Sequence, residues 1–169
     1  MNLSDTRIID AKAEAVWAAI LDPVVLKDCV PGCQHMDGTP EDGFTATVVQ
    51  KVGPVKATFK GAVTLSDMKA PESLTISGEG KGGAAGFAKG GAKVRLEAQG
   101  AQTVLHYEVE AKVGGKLAQL GSRIIDGFAK KMADQFFNNF QDRVGAPANP
   151  TPETVQDTPQ KGWLKRLVT

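Results

Sequence analysis

The stretch GKLAQLGSRIIDGFAKKMADQFFNNFQDRV, residues 115–144, decides the fold. It contains no proline, and its apolar residues recur at steps of three or four, which is the period of a helix. A helix over the whole stretch would be about 45 Å long and would need a surface to cover. Its apolar stripe is either plain core or the wall of a ligand cavity. The stripe consists of Leu117, Leu120, Ile124, Phe128, Met132, Phe136, Phe140 and Val144.

Composition indicates one soluble globular domain with a short appendage. The chain has 169 residues, of which 41% are hydrophobic and 23% charged, and the formal net charge is +1. This balance gives no global field that would attract nucleic acid. The first ten residues lack the apolar run of a secretory signal, and no segment has the length of a membrane-spanning helix. Only Cys29 and Cys33 are present, which predicts a reducing, cytoplasmic environment.

Two short helices follow an opening strand at residues 3–10. The segment 13–21 has its larger apolar side chains on one helical side. Asp22 and Pro23 then end this helix and begin a second over residues 23–29, because Asp is a good N-cap and Pro is tolerated at the first helical position. The segment VPG at 30–32 ends the helix pair.

Most of the remaining chain alternates with the period of a strand. Clear alternation is present near residues 44–48, 55–66, 74–80, 88–98 and 105–113, which is typical of antiparallel strands with one covered and one wet face. We therefore predict an α+β fold of about six or seven antiparallel strands. The long helix follows all the strands, so it should pack across the concave face of their curved sheet.

Small residues on the covered face suggest a slot for a ligand. Glycine and alanine replace larger side chains there, which either lets a flat apolar molecule approach or only lets the strands bend. Eight of the 19 glycines fall between Gly78 and Gly100. The predicted ligand-binding residues are Phe59, Ile76, Ala88, Gly90, Ala92, Val94, Leu105, Tyr107, Val109, Leu117, Leu120, Ile124 and Phe128.

Three motifs that could carry chemistry have a simpler interpretation. The segment GEGKGG at 78–83 matches G-x-G-x-x-G, but strand alternation resumes where a dinucleotide site needs a helix. Cys29, Cys33 and His35 would make an incomplete zinc site, so no metal site is predicted. Tyr107 is the only hydroxyl on the predicted cavity face, and His106 should be solvated. Without convergent ionisable groups, we predict no catalytic residue and a protein that is not an enzyme.

A row of basic residues lies on the outer face of two neighbouring predicted strands. It consists of Lys81, Lys89, Lys93 and Arg95. Such a row is usually a solvated sheet face, but it could also meet an acidic partner enzyme or lipid headgroups. Nucleic acid is not an expected partner, because no aromatic residues alternate with the basic ones as stacking platforms.

The C-terminal residues differ in composition from the domain at 1–144. Residues 145–160, GAPANPTPETVQDTPQ, are rich in proline and predict an extended linker. Residues 161–169, KGWLKRLVT, carry three positive charges and predict an amphipathic tail that contacts a membrane surface. The alternatives are a tail that docks on a partner protein or contacts nothing. The predicted membrane-contact residues are Trp163, Leu164, Lys165, Arg166 and Leu167.

Motifs along residues 1–144 together resemble one family. The helix pair, PGC at 31–33, VGPV at 52–55, the glycine-rich strands and VGG at 113–115 leading into AQLGSR at 118–123 are similar to the CoxG family associated with carbon monoxide dehydrogenase. That family belongs to the helix-grip (SRPBCC) superfamily of START and Bet v 1 folds. The resemblance implies a non-catalytic accessory protein of a molybdenum hydroxylase. It also implies recruitment of the enzyme to the inner face of the cytoplasmic membrane and binding of a quinone or similar apolar molecule, without a covalent cofactor.

Two other functions stay open from the residues alone. One is an enzyme of the same superfamily, a cyclase or hydratase acting on an aromatic substrate, which would need an acid or base inside the cavity. The other is a purely structural adaptor whose interior is packed solid.

Overall fold

Seven antiparallel strands form one curved sheet, and a long helix lies against its concave side. The computed structural model describes residues 1–145. In chain order the elements are β1 (Asn2–Ile9), α1 (Ala13–Ile20), α2 (Pro23–Cys29), β2 (Cys33–Thr39), β3 (Gly43–Val52), β4 (Val55–Lys69), β5 (Ser73–Lys81), a 3₁₀ turn (Gly83–Ala85), β6 (Phe87–Gln99), β7 (Gln102–Gly114), α3 (Lys116–Gln119) and α4 (Ser122–Val144).

The sheet order is β1-β7-β6-β5-β4-β3-β2. Strands β2 to β7 follow one another as a meander, whereas β1 pairs with β7, with Leu3 opposite Val109. The helix pair α1 and α2 carries the chain from one edge of the sheet to the other. The predicted α+β helix-grip fold is therefore confirmed.

The helix pair forms as its sequence predicts. Asp22 is the N-cap of α2, and its carboxylate accepts a hydrogen bond from the Val24 backbone N–H at 2.9 Å, with Pro23 at the first turn. Asn139 of α4 donates to the Cys29 carbonyl oxygen at 3.0 Å, and Arg143 pairs with Asp28. These contacts fix α2 against the C-terminal half of α4.

The long helix is shorter than predicted because the chain breaks at Gly121. A four-residue helix, α3, ends before this glycine, which has a φ of 88° that favours glycine, and α4 then begins at Ser122. The 23 residues of α4 span about 35 Å rather than 45 Å. Within α4 the predicted stripe advances by four residues at each step from Ile124 to Phe140, so it drifts around the helix by about 40° per step, and Ile125 is buried whereas Ile124 is 41% exposed. The prediction of Ile124 in the apolar stripe is therefore wrong.

Strand β2 is the element that the sequence pattern does not reveal. It pairs with β3, where Met36 is opposite Ala46. Only Cys33 and Met36 are partly buried among its seven residues, so the strand has too few apolar side chains to show alternation. It forms the second edge of the sheet, and pairing with β3 rather than burial of its own side chains holds it there.

The apolar interior consists of two clusters. The larger one joins the sheet to α1 and to the C-terminal half of α4, and Phe140, Val16 and Cys29 are its most buried members. The smaller cluster is built on Val52, Leu117 and Ile125 near the β3–β4 turn. The large cluster contains the cavity described next.

Candidate ligand cavity

A cavity of about 400 Å³ lies between the concave face of the sheet and α4. This volume falls within the ~300–1,000 Å³ of typical small-molecule sites. A purely structural adaptor would have a solidly packed interior, and this interior is not packed solid. The helix side of the cavity is lined by Ala129, Met132, Ala133, Phe136, Phe137 and Phe140.

The sheet and the helix pair supply the other walls. Strands β4 to β7 contribute inward residues at alternate positions, which is the pattern that an antiparallel sheet with one covered face produces. Among the lining residues from the described part of the chain, Tyr107 is the one whose side chain carries an oxygen or nitrogen atom. The sheet side is lined by Val63, Leu65, Ile76, Ala92, Val94, Leu105, Tyr107 and Val109. The end wall is lined by Ile20, Leu26, Val30, Pro31 and Met36.

The predicted ligand-binding residues separate into four groups. Ile76, Ala92, Val94, Leu105, Tyr107 and Val109 line the cavity. Phe59, Leu117, Leu120 and Phe128 belong to the smaller apolar cluster. Ala88 and Gly90 line a shallow groove on the sheet. Ile124 is exposed. The cavity therefore lies farther toward the C-terminal half of α4 than the sequence predicts.

None of the six helix-wall residues is among the predicted ligand-binding residues. Phe137 lies off the predicted stripe, yet its ring stacks on Tyr107 with centroids 5.1 Å apart. Phe136 contacts Phe137 edge-on at 5.1 Å and stacks on Phe140 at 5.7 Å. The apolar face of a packed helix is broader than a single line of residues, and the phenylalanine-rich segment 136–140 is the signal that could have found this wall.

Two glycines of the sheet have different surroundings. Gly90 lies where neighbouring strands approach closely, and Gly80 lies beside open space. A Cβ atom built on Gly90 would overlap the backbone carbonyl oxygen of Glu110, whereas one built on Gly80 has no neighbour within 4 Å. Gly90 is opposite Gly78 on one side and Ala111 on the other. The backbone geometry of β6 and β7 therefore explains Gly90 without a ligand.

A partly buried ion pair adjoins the cavity at its β1 side. Arg7 Nη2 donates to Asp134 Oδ1 of α4 at 2.6 Å and to the Tyr107 hydroxyl at 3.3 Å. The guanidinium carbon of Arg7 also lies 5.0 Å from the centroid of the Phe137 ring. This group is not among the predicted site residues, although the alternation of β1 places Arg7 on the same face as Leu3 and Ile9.

The electrostatics of this group keep both partners charged. Burial alone would lower the pKa of Arg7, but its hydrogen bonds to Asp134 and Tyr107 raise the pKa overall. The hydrogen bond from Arg7 lowers the pKa of Asp134, with a smaller contribution from Lys130. Because Arg7 can only donate, the Tyr107 oxygen is the acceptor, and its own O–H is free to donate elsewhere.

The glycine motif and the two cysteines lie within the described residues. Gly78 and Gly80 lie within β5, and β6 follows after only a 3₁₀ turn, so the glycines do not meet a helix as a dinucleotide loop requires. Within residues 1–145 no three metal-binding side chains come together. Cys29 is fully buried, which raises the pKa of its thiol, and Cys33 donates to the His35 carbonyl oxygen at 3.3 Å.

His106 lies on the outer face of the sheet, away from the cavity. Its side chain is 29% exposed and bonds to Thr6 Oγ1 at 3.0 Å and to Glu97 at 3.2 Å. It is therefore less solvated than predicted.

Among the described residues, no helix has the length and apolar character needed to cross a membrane. The predicted linker and tail lie outside the described residues, apart from Gly145.

A family model described as the G subunit of carbon monoxide dehydrogenase (CoxG) matches residues 6–145. The chain belongs to this family. As a member of the CoxG family it has, at the level of the family, an accessory role associated with carbon monoxide dehydrogenase. The comparison with curated proteins finds no match.

Solved structures support the same fold. A conserved protein from Geobacillus kaustophilus is 28% identical, with 85% of this chain and 95% of that chain covered and a TM-score of 0.80. A START superfamily protein from Mycobacterium smegmatis is 16% identical, with 85% and 96% covered and a TM-score of 0.63. A protein from Thermus thermophilus is 12% identical, with 88% and 100% covered and a TM-score of 0.66. This CoxG-family chain therefore shares the START-like helix-grip architecture.

Proposed function

We propose that this protein is a non-catalytic accessory protein of a molybdenum hydroxylase of the carbon monoxide dehydrogenase type, and that it binds a quinone or similar apolar molecule. The observation that carries this proposal is the cavity of about 400 Å³, whose lining side chains within residues 1–145 are apolar except for Tyr107. Burial of apolar ligand surface in such a cavity contributes about 25 cal/mol per Å². The cavity therefore favours a small apolar molecule over a polar metabolite.

The polar contact available in the cavity wall suits a ligand with a hydrogen-bond acceptor. The Tyr107 oxygen already accepts from Arg7, so its hydroxyl hydrogen can be donated to a carbonyl oxygen. A quinone combines an apolar ring with carbonyl acceptors. A ligand without an acceptor would gain only apolar contacts in the same space.

Direct titration with a short-chain quinone tests the ligand proposal. The Ala92→Phe variant places a ring in the cavity from the sheet side and should weaken binding at least about tenfold. The matched control is Ala62→Phe, because Ala62 is exposed on the opposite face of the sheet. Equal affinities of the two variants and the wild type would reject binding in this cavity. Thermal melts show whether each variant is folded.

The proposal includes peripheral contact of this cytoplasmic protein with the inner face of the membrane through residues 161–169. The sequence of this tail combines Trp163, Leu164 and Leu167 with Lys165 and Arg166, which suits the boundary between headgroups and acyl chains. Liposome flotation of the full chain should decrease when Trp163, Leu164 and Leu167 are replaced by serine. Replacement of Thr151, Thr154 and Thr158 by serine is the control. Equal flotation of both variants would remove the tail from the proposal.

The partner proposal has its own experiment. Affinity purification of the full chain from its own host should recover the subunits of a molybdenum hydroxylase. Recovery of the chain without any such enzyme, under conditions in which that enzyme is expressed, would contradict the accessory role. This result does not depend on whether the cavity is occupied.

A further inference from the structure

The convex face of the sheet, opposite α4, carries a concentration of lysines near the β3–β4 turn. All six lysines are exposed and come from β3 to β7. We call this surface the lysine face, and it comprises Lys51, Lys56, Lys60, Lys81, Lys89 and Lys112. It includes Lys81 and Lys89 of the basic row that the sequence predicts, whereas Lys93 and Arg95 lie farther along β6 on the same side of the sheet. Strand register brings the other four lysines to this surface.

The register places these lysines directly opposite one another in three pairs. Lys51 is opposite Lys56, Lys60 is opposite Lys81, and Lys89 is opposite Lys112. Like charges that face each other across neighbouring strands are destabilising. Glu79 is opposite Lys89 on its other side, yet none of the six lysines forms a salt bridge with another residue of the described part of the chain. The three like-charge pairs therefore cost folding stability, and Glu79 offsets this cost only at Lys89.

An exposed aromatic ring lies within the lysine face. Phe87 is 45% exposed and is opposite Lys81 on one side and Gly114 on the other. Its ring covers Gly114, since a Cβ atom built there would overlap the ring. The row across the sheet is thus Lys60, Lys81, Phe87 and Gly114. A partner for this surface must provide both negative charge for the lysines and an apolar region for the phenylalanine ring.

The chemistry of this surface selects the partner. Arginine is the residue that recognises a shaped anion through two parallel hydrogen bonds, and lysine is depleted in protein interfaces. Arg95 is on the same side of β6 but lies six residues beyond Lys89, outside the cluster of lysines. Clustered lysines with one exposed aromatic residue instead suit a diffuse anionic layer with an apolar interior. We propose that the lysine face docks on anionic phospholipid headgroups, with Phe87 at the boundary with the acyl chains.

This contact goes beyond the proposed tail contact because it lies on the folded domain. It does not depend on a ligand in the cavity, which lies on the other side of the sheet. Vesicle binding therefore tests the lysine face, and quinone titration tests the cavity separately.

Vesicle partitioning of the full chain tests the proposal. The lysine-face variant carries Lys60→Gln, Lys81→Gln, Lys89→Gln and Lys112→Gln. The control carries Lys12→Gln, Lys27→Gln, Lys69→Gln and Lys131→Gln, which removes the same charge from other sites outside the lysine face. We expect partitioning into phosphatidylcholine–phosphatidylglycerol vesicles to fall at least about tenfold in the lysine-face variant and far less in the control. Equal partitioning of the two variants overturns the proposal.

Two further experiments distinguish membrane docking by the lysine face from docking by the tail and from binding to an acidic protein. A full chain whose tail carries Lys161→Gln, Lys165→Gln and Arg166→Gln should still bind anionic vesicles. Adding the lysine-face substitutions to this tail variant should remove the remaining binding. Complete loss of binding from the tail substitutions alone overturns the proposal. Retained vesicle binding together with lost binding to the partner enzyme in the lysine-face variant also overturns it, and assigns the face to an acidic protein surface. The lysine-face variant should melt no lower than the wild type, because it removes two like-charge pairs.

Discussion

Arg7 Nη2 lies 2.6 Å from Asp134 Oδ1, so an ion pair joins the edge strand β1 to the middle of α4. The Arg7 side chain is 20% exposed and that of Asp134 is 44% exposed. The same guanidinium contacts the Tyr107 hydroxyl and the Phe137 ring. This one side chain therefore connects the sheet wall of the cavity to its helix wall.

We predict that Asp134 makes stability depend on acid pH. The hydrogen bond from Arg7 lowers the pKa of Asp134 in the folded state, so its contribution is present above the unfolded pKa of about 3.9 and is lost as pH falls through the folded pKa. Urea unfolding between about pH 5 and pH 2 should show a smaller loss of stability for Asp134→Asn than for the wild type.

A second carboxylate on the same helix provides the control for this prediction. Asp126 is exposed, and its side chain makes no hydrogen bond or ion pair with the rest of residues 1–145. The Asp126→Asn variant should keep the acid dependence of the wild type. Identical profiles for the wild type and Asp134→Asn would show that the ion pair adds nothing to stability.

Tyr107→Phe should separate the polar from the apolar part of ligand recognition. Loss of the hydroxyl removes one hydrogen bond, worth about 1 kcal/mol, so affinity for a carbonyl-bearing quinone should fall roughly fivefold. Affinity for a hydrocarbon ligand of similar size should be unchanged. Calorimetric titration of both ligands measures the difference. A similar loss for both would mean that the tyrosine acts only through packing.

Two glycines of the small-residue sheet face should respond oppositely to alanine. Gly90→Ala should lower the free energy of unfolding by about 1–3 kcal/mol, because the new Cβ overlaps the Glu110 carbonyl oxygen. Gly80→Ala should be neutral or stabilise by up to about 1 kcal/mol, because its site is open and alanine restricts the unfolded chain. Urea denaturation measures both. Equal effects would contradict the assigned close approach of β6 and β7.

The two cysteines should differ in reactivity. Cys29 is fully buried and burial raises the pKa of its thiol, whereas Cys33 is partly exposed. A thiol reagent should therefore modify Cys33 in the folded protein and reach Cys29 only after unfolding. Mass spectrometry of the labelled peptides distinguishes the sites. Rapid labelling of Cys29 in the folded protein would contradict its placement under α4.

The sheet can be predicted from sequence because alternation is clean where one face is buried. In β4 the inward Phe59, Val63 and Leu65 alternate with exposed Lys60 and Thr64 as expected. Strand β2 lacks this signal, since its pairing with β3 rather than side-chain burial fixes it. The helix period is equally clear, but Gly121 interrupts it, and a glycine inside a helical pattern does not reveal by itself whether the helix ends.

The cavity is predicted correctly to lie between the sheet and the helix, but its position along the helix is not. The sequence shows which faces are apolar, but residues spaced by four drift around a helix of 3.6 residues per turn, so Ile124 lies outward while Phe140 is buried. Arg7 escapes prediction because one cation in a weakly alternating strand gives no sign that an acid lies 127 residues later on the facing helix. The lysine pairs likewise depend on strand register, which adjacent residues do not determine.

Native mass spectrometry of the full chain, purified from its own host without organic solvent, tests the central claim most directly. We predict a population carrying one non-covalent apolar adduct, identified by extraction as a quinone or related molecule. The adduct should be absent from Ala92→Phe and present in Ala62→Phe. An empty wild-type chain across repeated preparations, or an adduct of equal abundance in both variants, would contradict a ligand held between the sheet and α4.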